Sequence, residues 1–205
     1  MATFIAVGNW NHRHSRPRRP WIRLAVPIDL ATNSNRQHLA ANYSSMVFLD
    51  RQHDHGPSYT KLLHSIHREM KWIRQETISY GMLDVLRILD RLPGGMWAGV
   101  KTTSWQTSVT TAVVSNLGSL DSMIPHGTEL NLGSATLREF DFLVPFRPGT
   151  SIALGVVTYA NQLHLTMNYD KHCLSSPTAT EFFESLCRVV YDSVHNQHSS
   201  GRANA

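Results

Sequence analysis

The run Val109-Thr110-Thr111-Ala112-Val113-Val114 constrains this chain most. It holds only β-branched and small residues, with no polar residue alternating to mark a solvent face. Such a run is the signature of a strand covered on both sides, and covering it requires a layer above and a layer below. The 205-residue chain, 41% hydrophobic, has enough apolar material for one such layered domain.

The flanking segments supply the layers. Trp21 to Leu30 alternates in its first part and reads as a strand, with Pro27 placing its end near an edge. Tyr43 to Leu49 is a second strand, reached through the polar stretch Thr32 to Gln37. After the turn residues His53 to Pro57, the positions Tyr59, Leu62, Leu63, Ile66, Met70 and Ile73 form one helical stripe. A further helix runs from Gly81 to Leu92 and is stopped by Pro93-Gly94-Gly95. Its apolar residues Met82, Leu83, Val85, Leu86, Leu89 and Leu92 cover more than one stripe, which predicts extensive burial.

The strand of Val109 to Val114 is expected to end in a turn at Ser115-Asn116-Leu117-Gly118, and Leu137 to Val144 is expected to form another strand. Ile152 to Thr158 and Gln162 to Tyr169 read as a hairpin around Tyr159-Ala160-Asn161. In its second arm Leu163, Leu165 and Met167 face one way and His164, Thr166 and Asn168 the other. Pro177, behind Ser176, opens a last helix carrying Phe182, Phe183, Leu186, Val189 and Val190. The expected fold is an α/β (α+β) sandwich, a mixed β-sheet with helices packed on one face. Residues 1–197 form a single lobe, of which 1–20 are a partial helix and a basic loop, and 198–205 form a disordered tail.

Charge and cysteines narrow the function classes. Of the 19 basic residues, Arg13, Arg16, Arg18, Arg19 and Arg23 precede Asp29, the first acid, which leaves 14 to set against 15 acids. The basic character is therefore local, without the motif or interleaved aromatics of a nucleic-acid binder, and a solvated loop from Pro17 to Pro20 is favoured. Cys173 and Cys187 make no C-x-x-C pair and point to a reducing compartment. No signal peptide and no run of about 18 apolar residues occurs, so a cytoplasmic protein with no membrane span is expected.

Metal and nucleophile chemistry are both weighed and set aside. His53-Asp54-His55, His12-x-His14 and His64-x-x-His67 carry ligand types at unspecific spacing, and His64 and His67 fall on or beside the polar face of their helix. No metal site is assigned. His172 and Cys173 are neighbours in sequence, which in an extended segment turns their side chains apart, so they are not read as a catalytic pair. Cys187 packs within the last helix.

Three stretches, in order, resemble the chloramphenicol-acetyltransferase-like superfamily of condensation domains and wax ester synthase-type acyltransferases. Ala25-Val26-Pro27-Ile28-Asp29-Leu30, followed by Asn42-Tyr43, is similar to the pattern that opens the second half of those two-lobed enzymes. Val113-Val114-Ser115-Asn116-Leu117-Gly118 is similar to a turn after their central strand, and Leu163 to Leu186 to the strand, turn and helix that close each lobe. Ala31 departs from the pattern, since many relatives carry an arginine there.

The superfamily's catalytic motif is HHxxxDG, in which a histidine takes the proton of the attacking group, an aspartate fixes the geometry and a glycine permits the turn. The matching turn here reads Asp170-Lys171-His172-Cys173-Leu174-Ser175-Ser176. In one register Lys171 replaces the histidine, and Ser175 and Ser176 replace the aspartate and glycine. In the next, His172 is in place but Ser176 and Pro177 follow.

The resemblance therefore implies a C-terminal lobe, truncated or split from a larger enzyme and inactive alone, with no catalytic residue of its own. Ser115, Asn116, Gly118, Asn42 and Tyr43 are its candidates for the wall of a substrate tunnel. It implies no tightly bound cofactor, acyl-CoA or an acyl-carrier thioester as co-substrate, and as partner a separate N-terminal catalytic lobe or a second copy. The alternative is a non-enzymatic binding or scaffold protein that keeps the fold.

Overall fold

The computed structural model describes residues 1–14, 21–30, 44–52, 59–75, 80–91, 93, 110–120, 129–145 and 150–201. In chain order they form α1 (Ala2–Arg13), β1 (Trp21–Asp29), β2 (Ser44–Gln52), α2 (Tyr59–Gln75), α3 (Gly81–Asp90), β3 (Ala112–Ser119), β4 (Asn131–Leu132), β5 (Ala135–Thr136), β6 (Ile152–Tyr159), β7 (Gln162–Tyr169) and α4 (Ser176–Gly201). Five strands make one mixed sheet in the order β2-β1-β3-β6-β7. The central contacts, β1 with β3 and β3 with β6, are parallel, and the outer pairs, β1 with β2 and β6 with β7, are antiparallel.

Alternation divides the sheet's residues between two apolar clusters. Ile22, Leu24, Ile28, Val47, Leu49, Ala112, Ile152 and Leu154 face a large core shared with Phe4, Ala6 and Val7 of α1, Leu62 and Ile73 of α2, and Phe182, Leu186 and Val189 of α4. Ala25, Val113 and Ala153 point the other way into a smaller cluster with Val144, Phe142, Met46 and Phe48. Neighbours Ala112 and Val113 thus bury into opposite layers, as an apolar strand without alternation requires. The helices supply one layer. Trp10 meets Phe182 edge-on at 5.6 Å, and the Arg13 guanidinium donates to Ser185 Oγ at 2.9 Å, fixing α1 beside α4.

The second layer departs from expectation. Leu137 to Val144 is not a strand of the sheet; it is extended chain lying across the face opposite the helices, preceded by the short β4–β5 hairpin, whose turn holds Gly133 at φ +64°. Side chains tether it instead of a backbone ladder. The buried Tyr159 hydroxyl donates to the Leu137 carbonyl at 2.6 Å and accepts from the Leu130 N–H at 3.0 Å. Thr166 Oγ1 donates to the Phe142 carbonyl at 2.6 Å, and Asn168 Nδ2 to the Val144 carbonyl at 3.0 Å. His164 Nδ1 lies 3.4 Å from Asp141 Oδ1. The polar alternate positions of β7 therefore hold a strap, while Met167 packs on the helical side.

Other boundaries shift for identifiable reasons. The β6–β7 hairpin turns through Ala160 (φ 49°) and Asn161 (φ 59°), both left-handed as a type I′ turn demands. α3 is less buried than its composition suggests, with Val85 51% and Ile88 59% exposed. It lies at the sheet's edge beside β2, where Val85 and Ile88 find no second layer to bury against. The Ser115–Gly118 segment does not end β3 but lies within it. α4 begins one residue before Pro177 and runs to Gly201, past His198 where the sequence places the start of a tail, because no residue before Gly201 breaks a helix. The loop residues 15–20, 32–37, 53–58 and 94–95 lie outside the described residues.

Two measurements test this packing. A Cβ at Gly155 would meet Thr166 Oγ1, the Phe142 carbonyl at 2.9 Å and the Phe142 ring at 3.2 Å, whereas one at Gly81 meets nothing within 4 Å. Gly155→Ala should lower the urea-derived stability by ~1–3 kcal/mol, and Gly81→Ala should leave it unchanged or slightly raised. Arg23 pairs with the directly opposite Asp50 through two bonds of 2.7 Å, and this hydrogen bonding from the guanidinium holds the Asp50 carboxyl below its ordinary range. A depressed carboxyl contributes stability that is complete above its unfolded value, near 4, and is lost as pH falls through the folded one. Because the pair is partly exposed, Asp50→Asn should cost under ~1 kcal/mol at neutral pH. The gap from the parent protein should close in acid; a constant gap from neutral pH to strong acid would contradict the pairing.

Candidate functional site

The parallel strands β1 and β3 stay paired for only two positions, Leu24 with Ala112 and Ala25 with Val113, although β1 continues to Asp29 and β3 to Ser119. The cause is legible in the chain. The Arg23 carbonyl accepts from the Thr111 N–H at 2.8 Å, and the Arg23 N–H donates to Thr111 Oγ1 at 3.2 Å, so the odd-numbered residues of β1 turn their backbone groups toward β3. Two steps after Ala25 that side of β1 belongs to Pro27, which has no N–H to give. The ladder stops there, and the carboxyl ends of the two strands part.

Ser115, Asn116 and Gly118 lie on β3 beyond that point. They pair with β6, Ser115 opposite Gly155 and Asn116 opposite Val156, and then the register shifts so that Leu117 is an extra residue and Gly118 faces Val157. This is a β-bulge, and Gly118 takes the φ of +76° that favours glycine there. Asn116 Oδ1 accepts the Gly118 N–H at 2.8 Å. That bond fixes the amide and leaves its Nδ2 donor without a partner among the described residues. Ser115 is half-buried and Asn116 exposed. Asn42 and Tyr43 lie outside the described residues; Ser44, which follows them, pairs with Asp29 at the same carboxyl end of β1.

The turn Asp170 to Ser176 does join β7 to α4, but at the other end of the sheet. Tyr169 pairs with Ile152, and the Asp170 N–H donates to the Ser151 carbonyl at 3.0 Å, at the start of β6, whereas Asn116 sits beside Val156. Four residues of strand, about 13 Å, separate these rungs. Within the turn, Asp170 serves the backbone: one carboxylate oxygen accepts the His172 N–H at 2.9 Å, and the other lies 3.7 Å from Cys173 Sγ. The Asp170 carbonyl accepts the Cys173 and Leu174 N–H groups, both at 2.9 Å.

Ser175 caps α4 from just outside it, its hydroxyl 2.6 Å from Thr178 Oγ1 and its carbonyl accepting the Ala179 N–H at 2.9 Å. Lys171, His172, Cys173, Ser175 and Ser176 are exposed. No carboxylate orients the His172 ring among the described residues, so the arrangement of an imidazole base held by an acid is not formed there.

The remaining candidates do not assemble. Among the described residues no group of three or more His, Cys, Asp or Glu side chains could hold a metal ion, and His53, Asp54 and His55 lie outside them. His64 and His67 are exposed, as the helical wheel predicts. Cys187 is half-buried on α4, and burial followed by the nearby Glu184 pushes its thiol up from its ordinary value. No described helix is long and apolar enough to cross a membrane. The sequence reading missed the parting of β1 and β3, for which Pro27 in the strand was the available signal.

Solved structures similar to this fold include domains of two synthetases and of a polyketide synthase. The epimerization domain from the third module of tyrocidine synthetase B has a TM-score of 0.54 at 11% identity, with 95% of this chain and 40% of that chain covered. The starter condensation domain of rhizomide synthetase has a TM-score of 0.54 at 13% identity, over 95% and 41%. The structure describing condensation domain-mediated chain release from the enacyloxin polyketide synthase has a TM-score of 0.53 at 14% identity, over 94% and 35%. The chain spans about two-fifths of the length of the first two. No curated protein sequence matches it significantly. The model of the WS/DGAT C-terminal domain matches residues 40–186, which take in β2 and reach into α4. The chain belongs to the WS/DGAT C-terminal domain family and has an acyltransferase-like fold, that of a chloramphenicol-acetyltransferase-like lobe.

Proposed function

We propose that this chain is the C-terminal lobe of a condensation-domain-like acyltransferase and lends one wall to a tunnel. Along that tunnel an acyl thioester, from coenzyme A or a carrier protein, meets a hydroxyl or amine acceptor. The observation that carries the reading is the parting of β1 and β3 beyond Ala25 and Val113, which leaves Ser115, Asn116 and Gly118 at the carboxyl ends of parallel strands. Openings of that kind are where sheets of this class take ligands. Asn42 and Tyr43 join this wall in the proposal through the placement of Ser44.

The chemistry follows from what each group can do. Acyl transfer needs a base for the attacking hydroxyl or amine and donors for the oxyanion that develops on the thioester carbonyl. Asn116, its Oδ1 held by the Gly118 N–H, has an oriented Nδ2 to give to a thioester or pantetheine carbonyl. Among the described residues the base has no counterpart: the Asp170 carboxylate is spent on its own turn, Lys171 and His172 are exposed with no carboxylate set against their side chains, and Ser175 caps a helix. The base must then come from a second lobe, in keeping with a chain that spans about two-fifths of its structural neighbours.

The purified chain, given acyl-CoA and a panel of alcohols and amines, should show no transfer above the blank. Turnover, above all turnover abolished by His172→Ala, would overturn the reading. Light scattering should find a defined complex with a lobe that carries HHxxxDG, or self-association through the lobe face. A chain that stays monomeric in the presence of such a lobe would instead favour a binding module that keeps the fold.

A further inference from the structure

Helix α2 has two unlike sides. Leu62 and Ile73 are buried in the core, with Ile66 and Met70 packed against them. The outward side carries Lys61, His64, His67, Arg68, Lys71, Trp72 and Arg74, all exposed. Lys61, His64, Arg68 and Lys71 follow one another three or four positions apart and so form a single row along the helix. His67 and Arg74 flank the row on one side. Trp72, 53% exposed, borders the row on the other side, next to Lys61 on the helical wheel.

The lysines and arginines of this side are not balanced by acids among the described residues. The helix has one acid, Glu69, and it is turned inward to Arg51 of β2. Elsewhere Arg23, Arg87 and Arg138 each have an acid of their own, Asp50, Asp84 and Glu129. Lys61, Arg68, Lys71 and Arg74 have none among the described residues. The first third of the chain concentrates basic residues, but this row is a feature of the folded surface that the linear charge count conceals.

We propose that the outward face of α2 is a docking surface for an anionic lipid bilayer. A straight row about 15 Å long from Lys61 to Lys71 meets a flat leaflet along its whole length. Mobile headgroups can gather under each flexible lysine or arginine, so no matched set of acids is needed, as it would be on a protein partner. The indole of Trp72 adds an amphipathic ring of the kind that settles at the headgroup boundary, which a purely ionic contact with nucleic acid would not use in this way. The helix stays folded on its own core while it does so, because its apolar side is already buried.

Sedimentation of the full chain with vesicles tests this, using phosphatidylcholine alone, phosphatidylcholine mixed with phosphatidylglycerol, and duplex DNA as a third arm. Binding should appear with the anionic vesicles, be weak with the neutral ones, and fall with added salt. Removing each cation should weaken it about fivefold, so Lys61→Gln, Arg68→Gln and Lys71→Gln together should cost roughly a hundredfold. Trp72→Ala should weaken binding further and remove the blue shift of tryptophan emission on vesicle addition. Arg87→Gln with Arg138→Gln, on other elements, should bind like the parent, and matched melting curves show that the variants are folded. Equal binding to neutral and anionic vesicles, an unaffected triple variant, or retention on DNA without vesicle binding would each overturn the proposal.

Discussion

A strand that buries successive side chains on opposite faces cannot exist at the surface of a one-layered protein, and β3 does so at Ala112 and Val113. Everything else in the lobe is arranged around that demand. On one side three helices provide the cover with large residues such as Phe4, Phe182 and Leu186. On the other the sheet offers small residues, Ala25, Ala153 and Gly155, and a flat strap of extended chain fills the layer with Phe142 and Val144. Small residues under a thin cover and large ones under thick helices are the same requirement met twice, since close packing must be reached on both faces.

The thin cover explains why polar residues are placed where they are. Extended chain crossing a sheet face cannot pair its backbone with strands that already pair each other, so its carbonyls need other donors. Tyr159, Thr166 and Asn168 give them, and Tyr159 does so while almost wholly buried. Leu143, between two anchored residues, is left 69% exposed, as alternation in an extended segment requires. An unmet buried carbonyl is costly, which makes these three side chains structural and leaves them out of any account of chemistry.

The sequence made the sheet and its helical face readable because periodicity reports directly on burial: the β6–β7 hairpin, the α2 stripe and the last helix all lie where their patterns put them. It also separated the faces of β7 correctly, with Met167 on the core and Thr166 and Asn168 elsewhere. What it could not report was the partner of the polar face. Leu137 to Val144 has the same weak alternation whether its carbonyls meet a neighbouring strand or the side chains of one, and that choice is made by chain elsewhere. The same holds for α3, where the pattern promises burial and Val85 and Ile88 stay exposed at the sheet edge. Near the candidate site, Gly118 and its bond to Asn116 were legible as local chemistry, but whether the bulge ends the strand or sits inside it depends on β6.

The two features that resemble the superfamily's functional elements prove to be at opposite ends of one sheet, and this separation bears on how they should be read. A parallel pair opens at its carboxyl end, so the parting of β1 and β3 and the bulge at Asn116 share an end; the antiparallel return of β7 carries the Asp170 turn to the other. A base in that turn could not have served a carbonyl at Asn116 within the same lobe, even with its histidine and aspartate intact. The residues of that turn therefore do not reach the β1–β3 opening. Each end of such a lobe is built on its own contacts, the bulge end on the Asn116–Gly118 bond and the pairing with β6, the other end on an Asp-anchored turn.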